Sequence, residues 1–282
     1  MIVVLGASGR LGGYLFKSFK NDFTEVLGTY CDNKKPGLSH FNLENMVLND
    51  LNVSIFSSHL IIAAASNPRI DISKDINKLY KANVLRTKTL INDCFSRNIT
   101  PVYISTDNVF DGEKGDYKET DKTNPINNYG KMKCEIEEQL ITSDKPFVLL
   151  RMGKVFGIEN DNTLILETFQ SMQRDKKVLC ATDQIFTPLY VKDLYNFVKQ
   201  TIAKGYQGIF HLASTFPLTR YSVAEAIKSN FNLDAEIIPC KINEIGLLEK
   251  RPLKIDLNTE KYRALTGKYL RKIEDFFSLI DY

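Results

Sequence analysis

A chain of 282 residues, 43% hydrophobic and 25% charged, lies in the range of soluble globular proteins and is long enough for one large core or two small ones. Fifteen Gly and nine Pro are too few for a fibrous or low-complexity chain, and a net charge of +3 is too weak to point to nucleic acid as a partner. Five cysteines without a C-x-x-C pair and three isolated histidines indicate neither a disulfide framework nor a metal site.

The opening Met1 to Leu5 lacks the basic flank and the apolar length of a signal peptide, and Ile2 to Leu5 reads as a strand. It runs into Gly6-Ala7-Ser8-Gly9-Arg10-Leu11-Gly12 and then into a helix whose apolar face includes Leu15 and Phe19. Glycines in such a turn let the backbone approach a pyrophosphate, whose charge is favoured at the helix N-terminus. Further strands are predicted at Glu25 to Tyr30, Leu38 to Leu43, His59 to Ala65, Pro101 to Ser105 and Pro146 to Arg151. The apolar run Leu60 to Ala65 falls far short of the roughly 20 residues of a membrane span. A cytoplasmic protein without a membrane partner is therefore expected. Between the strands lie amphipathic stretches, clearest where Ile76, Leu79, Tyr80, Asn83, Val84, Thr87, Leu90, Ile91 and Cys94 recur at helical spacing. Strand and helix in repetition predict an α/β fold of the Rossmann type, a doubly wound parallel sheet with helices on both faces.

After residue 152 the rhythm loosens. Helices are predicted over Thr163 to Arg174, Val191 to Ala203 and Tyr221 to Phe231, a strand over Gly208 to Ala213, and a short helix near the C-terminus. The expected organisation is a dinucleotide-binding domain over 1–152 and a smaller, interleaved substrate-binding region over 153–282, folded over the carboxyl edge of the sheet. Its segment from about 191 to 213 returns to the sheet.

Cofactor choice is read at the end of the second strand, where an acid would hold the adenosine ribose of NAD. Tyr30 stands there, followed by Cys31, Asp32, Asn33, Lys34 and Lys35. The missing acid and the two lysines favour NADP, with Arg10 a further candidate for the 2′-phosphate. NAD is the alternative if Asp32 reaches the ribose.

The segment Pro125-Ile126-Asn127-Asn128-Tyr129-Gly130-Lys131-Met132-Lys133 opens a helix, and Tyr129 and Lys133 share one of its faces. An ammonium beside a phenol favours the phenolate and suits the pair to exchanging a proton near neutral pH. Upstream, the strand ending at Ser105 continues into Thr106-Asp107, hydroxyls at the carboxyl end of a parallel strand, where ligands of open sheets bind. The alternative for those hydroxyls is a helix cap or turn.

With these residues the chain resembles the extended short-chain dehydrogenases/reductases, and most the dTDP-4-dehydrorhamnose reductase group. The resemblance rests on Gly6-x-x-Gly9-x-x-Gly12, Ala63-Ala64-Ala65, Ala82-Asn83-Val84, Ser105-Thr106-Asp107-Asn108-Val109-Phe110-Asp111-Gly112 and Tyr129-x-x-x-Lys133. Asp183-Gln184, Pro188, Asp193-Leu194, Gly208-Ile209-Phe210-His211, Arg220-Tyr221 and Arg251-Pro252 follow in the same order. It implies an NAD(P)H-dependent reductase of a nucleotide-linked keto sugar in deoxysugar or surface-polysaccharide biosynthesis. Tyr129 would give the proton, Lys133 would hold the nicotinamide ribose, and Thr106 would orient the carbonyl. Gly6, Ser8, Gly9, Arg10, Leu11, Gly12, Tyr30, Asn42, Leu43, Ala63, Ala64, Ala65 and Asn83 would complete the cofactor side. Ser105, Asn108, Lys154, Gln184, Arg220 and Arg251 would face the substrate, the arginines toward a diphosphate. A homodimer is compatible with the family, and no metal is implied.

Two positions depart from the group. Its S-T-D-Y-V-F run reads Asn108 at the tyrosine, and its R-T-S-W-V-Y-G run is here Arg151-Met152-Gly153-Lys154-Val155-Phe156-Gly157. An aromatic face is replaced by a cation, which implies a more polar or acidic sugar substituent or a different nucleotide sugar. Asn42 also stands where relatives carry an acid near the adenine. Two other readings share the motifs: a non-catalytic NADP-binding regulatory subunit like the β subunit of methionine adenosyltransferase, and an epimerase or dehydratase that retains its NAD.

Overall fold

The computed structural model describes residues 1–51, 59–63, 76–158, 164–246 and 249–277. Along the chain the strands are Ile2–Leu5 (β1), Val26–Tyr30 (β2), Ser39–His40 (β3), His59–Ile62 (β4), Thr100–Ile104 (β5), Val148–Met152 (β6), Val155–Phe156 (β7), Lys177–Ala181 (β8), Ile185–Phe186 (β9), Leu189–Tyr190 (β10), Gly208–Leu212 (β11), Leu218–Thr219 (β12) and Glu236–Cys240 (β13). The helices are Arg10–Asp22 (α1), Ile76–Tyr80 (α2), Thr87–Ser96 (α3), Asn128–Ile141 (α4), Leu164–Asp175 (α5), Val191–Lys204 (α6), Arg220–Asn230 (α7), Glu260–Thr266 (α8) and Glu274–Phe277 (α9).

Seven strands form one sheet in the order β11-β6-β5-β4-β1-β2-β3, and the pairs from β3 through β6 run parallel. The expected doubly wound architecture is therefore present. All four residues of β1 and of β4 are buried, as continuous apolar strands in the middle of a parallel sheet must be. The strand order reverses at β1 and β4, and ligands of open parallel sheets bind beyond the carboxyl ends of strands at such a point. Of the predicted Ala63-Ala64-Ala65 run only Ala63 is described, just past the end of β4. Ala64 and Ala65 lie outside the described residues.

The third strand is shorter than the predicted span from Leu38 to Leu43. Phe41 N–H still bonds the Tyr30 carbonyl, but Asn42 then turns the chain: its Oδ1 accepts from Glu44 N–H at 2.9 Å, and its carbonyl accepts from Met46 N–H at 2.9 Å. A local asparagine turn thus outcompetes the ladder. The long predicted helix from Ile76 is interrupted by a π-helical turn at Lys81–Arg86, which carries Asn83.

The chain divides into two compact units, one of residues 1–105, 131–150 and 195–209, the other of 106–130, 151–194 and 210–282. The first buries the sheet residues Val3, Ile61 and Val102 and the helix residues Phe19, Ile91 and Ile136. The second has its own apolar cluster, including Phe156, Phe169, Met172, Phe186, Val223 and Ile227. It also holds a buried polar knot. Arg151, 2% exposed, donates to the Glu119 carbonyl at 3.3 Å and lies 3.4 Å from His211 Nε2, while His211 Nδ1 donates to the Tyr117 carbonyl at 2.9 Å. Burial, and then the Arg151 charge, push the His211 imidazole down to about 3, so it stays neutral and braces the segment after β5. Among the described residues no helix is long and apolar enough to cross a membrane, and no cluster of His, Cys, Asp or Glu could hold a metal ion.

Candidate active site

In the first unit glycines shape the turn between β1 and α1. Gly6 adopts φ +75°, open to glycine at little cost. A Cβ on Gly12 would stand 2.3 Å from the Gly6 carbonyl oxygen, so only glycine lets the helix close on the turn. Gly9 caps α1 and, lacking a side chain, leaves the first turn of the helix without a side-chain cap, and no acid stands in that turn. Ser8 N–H reaches the Thr29 carbonyl at 3.3 Å and Gly6 N–H reaches Thr29 Oγ1 at 3.2 Å, tying the loop to β2. Arg10 is exposed, and Leu11 is half-buried.

At the end of β2, Tyr30 is half-buried with its ring 5.4 Å from that of His40, and Asp32, Lys34 and Lys35 are exposed. Leu43 lines an open cavity of about 240 Å³ with Glu44, Met46, Arg86, Leu90 and Asp93. Asn42 spends its side-chain oxygen on the turn described above. Asn83 is buried and directs its amide to Met132 Sδ at 3.8 Å, the residue before Lys133.

Lys133 is 6% exposed on α4, with its ammonium donating to the Ile104 carbonyl at 2.8 Å and lying 4.6 Å from the Tyr103 ring centroid. Burial pulls its pKa down to about 8, against the opposing pull of Glu137 one turn along the helix. Ser105, buried, donates its hydroxyl proton to Glu137 rather than outward. Glu137 was not singled out by the sequence. Its only signal there is the spacing of Tyr129, Lys133 and Glu137, four residues apart on one stripe of a helix.

The second unit holds the other hydroxyl. Thr106 Oγ1 donates to Asp107 Oδ1 at 3.0 Å and accepts from Asn108 N–H at 3.2 Å and from Asn108 Nδ2 at 3.3 Å. Asp107 is 3% exposed, and its Oδ2, 3.2 Å from where a Cβ on Gly153 would stand, has no hydrogen-bond partner. Burial raises this carboxyl to about 6, partly offset by hydrogen bonds from Thr106 and Asn108 and by the charge of Lys154. Asp107 is a second residue to which the sequence assigned no role. Tyr129, half-buried, sits in the first turn of α4, two residues beyond Asn127, whose Oδ1 caps that helix by accepting from Gly130 N–H at 2.8 Å.

The same unit gathers three cations. Lys154 follows β6, Arg220 opens α7 behind the capping pair Thr219 and Ser222, and Arg251 lines a cavity of about 460 Å³ with Ile126, Asp183, Lys241, Lys250 and Leu253. Burial and then Arg220 draw Lys154 down to about 7, although the residue as a whole is exposed and solvent tempers the effect. Burial and then Arg251 lower Arg220 as well. Gln184 is committed within the protein: its Nε2 donates to the Pro252 carbonyl at 3.3 Å and its Oε1 accepts from Arg220 Nε at 3.1 Å. It holds the guanidinium by its Nε.

A family model described as the RmlD substrate binding domain matches residues 1–278. Among curated proteins, the chain is 28% identical over 275 residues to methionine adenosyltransferase 2 subunit beta of Danio rerio, covering 94% of this chain and 84% of that protein. It is 29% identical over 277 residues to dTDP-4-dehydrorhamnose reductase of Aggregatibacter actinomycetemcomitans, covering 95% and 87%. Among solved structures it resembles a hypothetical dTDP-4-dehydrorhamnose reductase from Sulfolobus tokodaii, with a TM-score of 0.85, 26% identity and coverage of 97% and 98%. It shares the fold of the Bacillus anthracis dTDP-4-dehydrorhamnose reductase in complex with NADP, at TM-score 0.84, 20% identity and coverage of 99% and 97%. It also shares the fold of MoeE5 in complex with UDP-glucose and NAD, at TM-score 0.81, 18% identity and coverage of 98% and 96%.

Proposed function

The chain belongs to the RmlD substrate-binding family, and from that premise we propose that it is an NAD(P)H-dependent reductase of a nucleotide-linked keto sugar, with NADP(H) preferred and NAD(H) the alternative. The observation that carries this reading is α4: one helix bears Tyr129 and the buried Lys133, and its cap is bonded to the loop of Thr106. What supports the cofactor is the Gly6–Gly12 turn: it closes on α1 only with glycine at position 12, and the first turn of that helix has no side-chain cap and no acid to compete with a phosphate. Gly6, Ser8, Gly9, Arg10, Leu11, Gly12, Tyr30, Asn42, Leu43, Ala63, Asn83, Tyr129 and Lys133 would hold it, with Arg10, Lys34 and Lys35 offering charge to a 2′-phosphate. When bound, the nicotinamide supplies the hydride equivalent.

The chain's own residues do the rest. Tyr129 carries the proton for the keto oxygen, and the Lys133 ammonium one helical turn away favours the phenolate left behind. Thr106 donates to the same oxygen and stabilises the charge that grows on it. Arg220, held by Gln184, and Arg251 face a diphosphate, and Lys154 faces the sugar.

The test follows loss of reduced-nicotinamide absorbance with NADPH or NADH and a panel of nucleotide-linked 4-keto-6-deoxy sugars. Oxidation is expected with one of them, and Tyr129→Phe is expected to slow it by roughly 10²–10⁴ while cofactor binding stays within a few-fold. A fully active Tyr129→Phe enzyme would remove Tyr129 from the mechanism. The 28% identity to a methionine adenosyltransferase subunit favours one second reading, a regulatory subunit that binds NADP without turnover. Tight NADP(H) binding with no oxidation of any sugar, together with co-purification with a catalytic adenosyltransferase subunit, would establish that reading instead.

A further inference from the structure

Two backbone groups decide which way a chain of side-chain amides points. Gly130 N–H can only donate, so the Asn127 atom 2.8 Å from it is Oδ1. The Lys250 carbonyl can only accept, so the Asn127 atom 3.4 Å from it is Nδ2. That nitrogen donates to Asn108 Oδ1 at 3.0 Å, which turns Asn108 Nδ2 toward Thr106 Oγ1 at 3.3 Å and Asp107 Oδ1 at 2.8 Å. Direction therefore passes from the capped end of α4, through Asn127 and Asn108, to the Thr106 hydroxyl.

A hydroxyl has one proton and two lone pairs. Asn108 meets both lone pairs of Thr106, one with its backbone N–H and one with its side-chain amide, and the proton goes to Asp107 Oδ1. Toward any ligand Thr106 has only that proton to offer. When the proton swings away, Asp107 Oδ1 keeps the Asn108 Nδ2 bond, so the exchange strands no buried acceptor.

We infer that Asn108, oriented by Asn127, is a positioning residue that makes Thr106 an obligate donor and reserves its proton for the substrate's keto oxygen. The inference rests on the reductase reading for the identity of that oxygen. The arrangement requires an amide at position 108, because only a side chain that both accepts and donates can take from Asn127 and give to Thr106 and Asp107. Negative charge on the keto oxygen grows as hydride arrives, so the device acts in the transition state more than in binding.

The test has two arms on the full chain. In the ligand-free protein, nitrogen-resolved NMR should show the Asn108 side-chain amide protons protected from solvent exchange. Asn127→Asp should turn that amide round and shift its side-chain amide resonances: it keeps the cap for Gly130 N–H, so α4 stays formed, but it presents oxygen where Asn108 needs a donor, so the Asn108 amide protons leave Thr106 and Asp107 for residue 127. An Asn108 amide that exchanges like an exposed one in the unmodified chain, or that ignores Asn127→Asp, overturns the inference whatever the activity. With NADPH and the keto sugar that is turned over, Asn108→Leu and Asn127→Asp should each lower kcat about tenfold, with both KM values within about twofold. Their double variant should be no worse than the poorer single one. Unchanged kcat, or losses that multiply, overturns the inference. If no sugar is turned over by the unmodified chain, the reductase reading fails while the exchange arm still decides the relay.

Discussion

Two lysines of this chain lie below the ordinary lysine range, Lys133 at about 8 and Lys154 at about 7, and burial is the first cause in both. Their surroundings are otherwise opposite. Lys133 donates to the Ile104 carbonyl, rests on the Tyr103 ring and has Glu137 one turn away to hold its charge, so the first unit completes it from within. Lys154 is pushed down further by Arg220 and Arg251, and the acid nearest in effect, Asp107, has an unpartnered Oδ2. The first environment is closed and holds a charge in place; in the second, cations lower one another and one carboxylate oxygen is left over. On the proposed reading, the contrast separates machinery that the protein preorganises from a surface that a ligand completes.

The largest effect should come from the closed environment. Lys133→Met keeps the stem and removes the charge beside Tyr129, and it is expected to lower kcat/KM by roughly 10²–10³ while α4 stays folded by circular dichroism. A variant that keeps more than about a tenth of the activity would mean that the phenol does not depend on this lysine.

Asp107 tests the open environment. Its folded pKa is raised from 3.8 to about 6 by burial, so its contribution to stability is present below 3.8 and is lost as pH rises through 6. Above that, the buried carboxylate costs on the order of 1–3 kcal/mol. Asp107→Asn is therefore expected to be more stable than the unmodified chain at pH 7.5 by about that amount, and little different near pH 4, in urea melts at the two pH values. Lower stability at pH 7.5 would show that the carboxylate is paid for by contacts within the protein.

How far each environment was legible follows from what sequence spacing can carry. The glycine-rich turn, the parallel strands and the Tyr129-Lys133 spacing are local patterns, and the sheet order is as the strand–helix alternation requires. Asn42 was legible as a departure but not as a turn, because asparagine serves a strand end and a side-chain turn with the same residue. Glu137 and Asp107 were missed because their meaning is three-dimensional: an acid in a helix otherwise reads as a solvated face, and only its burial against Ser105 distinguishes it. The Gln184–Arg220 bond joins residues 36 apart, and nothing in spacing foretells that the glutamine is spent on the arginine.

The smallest effect on the fold, and the finest test of the contrast, is Lys154→Trp. The residue is exposed as a whole, so the change should leave stability within about 0.5 kcal/mol. What should move is preference. With the cation present, a keto sugar bearing a carboxylate should be favoured over a neutral 6-deoxy one, and the substitution should shift the ratio of their kcat/KM values toward the neutral sugar by roughly 3–10-fold, the size of one screened charge contact. Because burial and the neighbouring Arg220 lower the Lys154 pKa, the unmodified chain should show a shift in the same direction as pH is raised, and the tryptophan variant should not. An unchanged ratio across the panel would mean that the cation answers to the diphosphate with Arg220 and Arg251, and that the open environment is completed from its phosphate side.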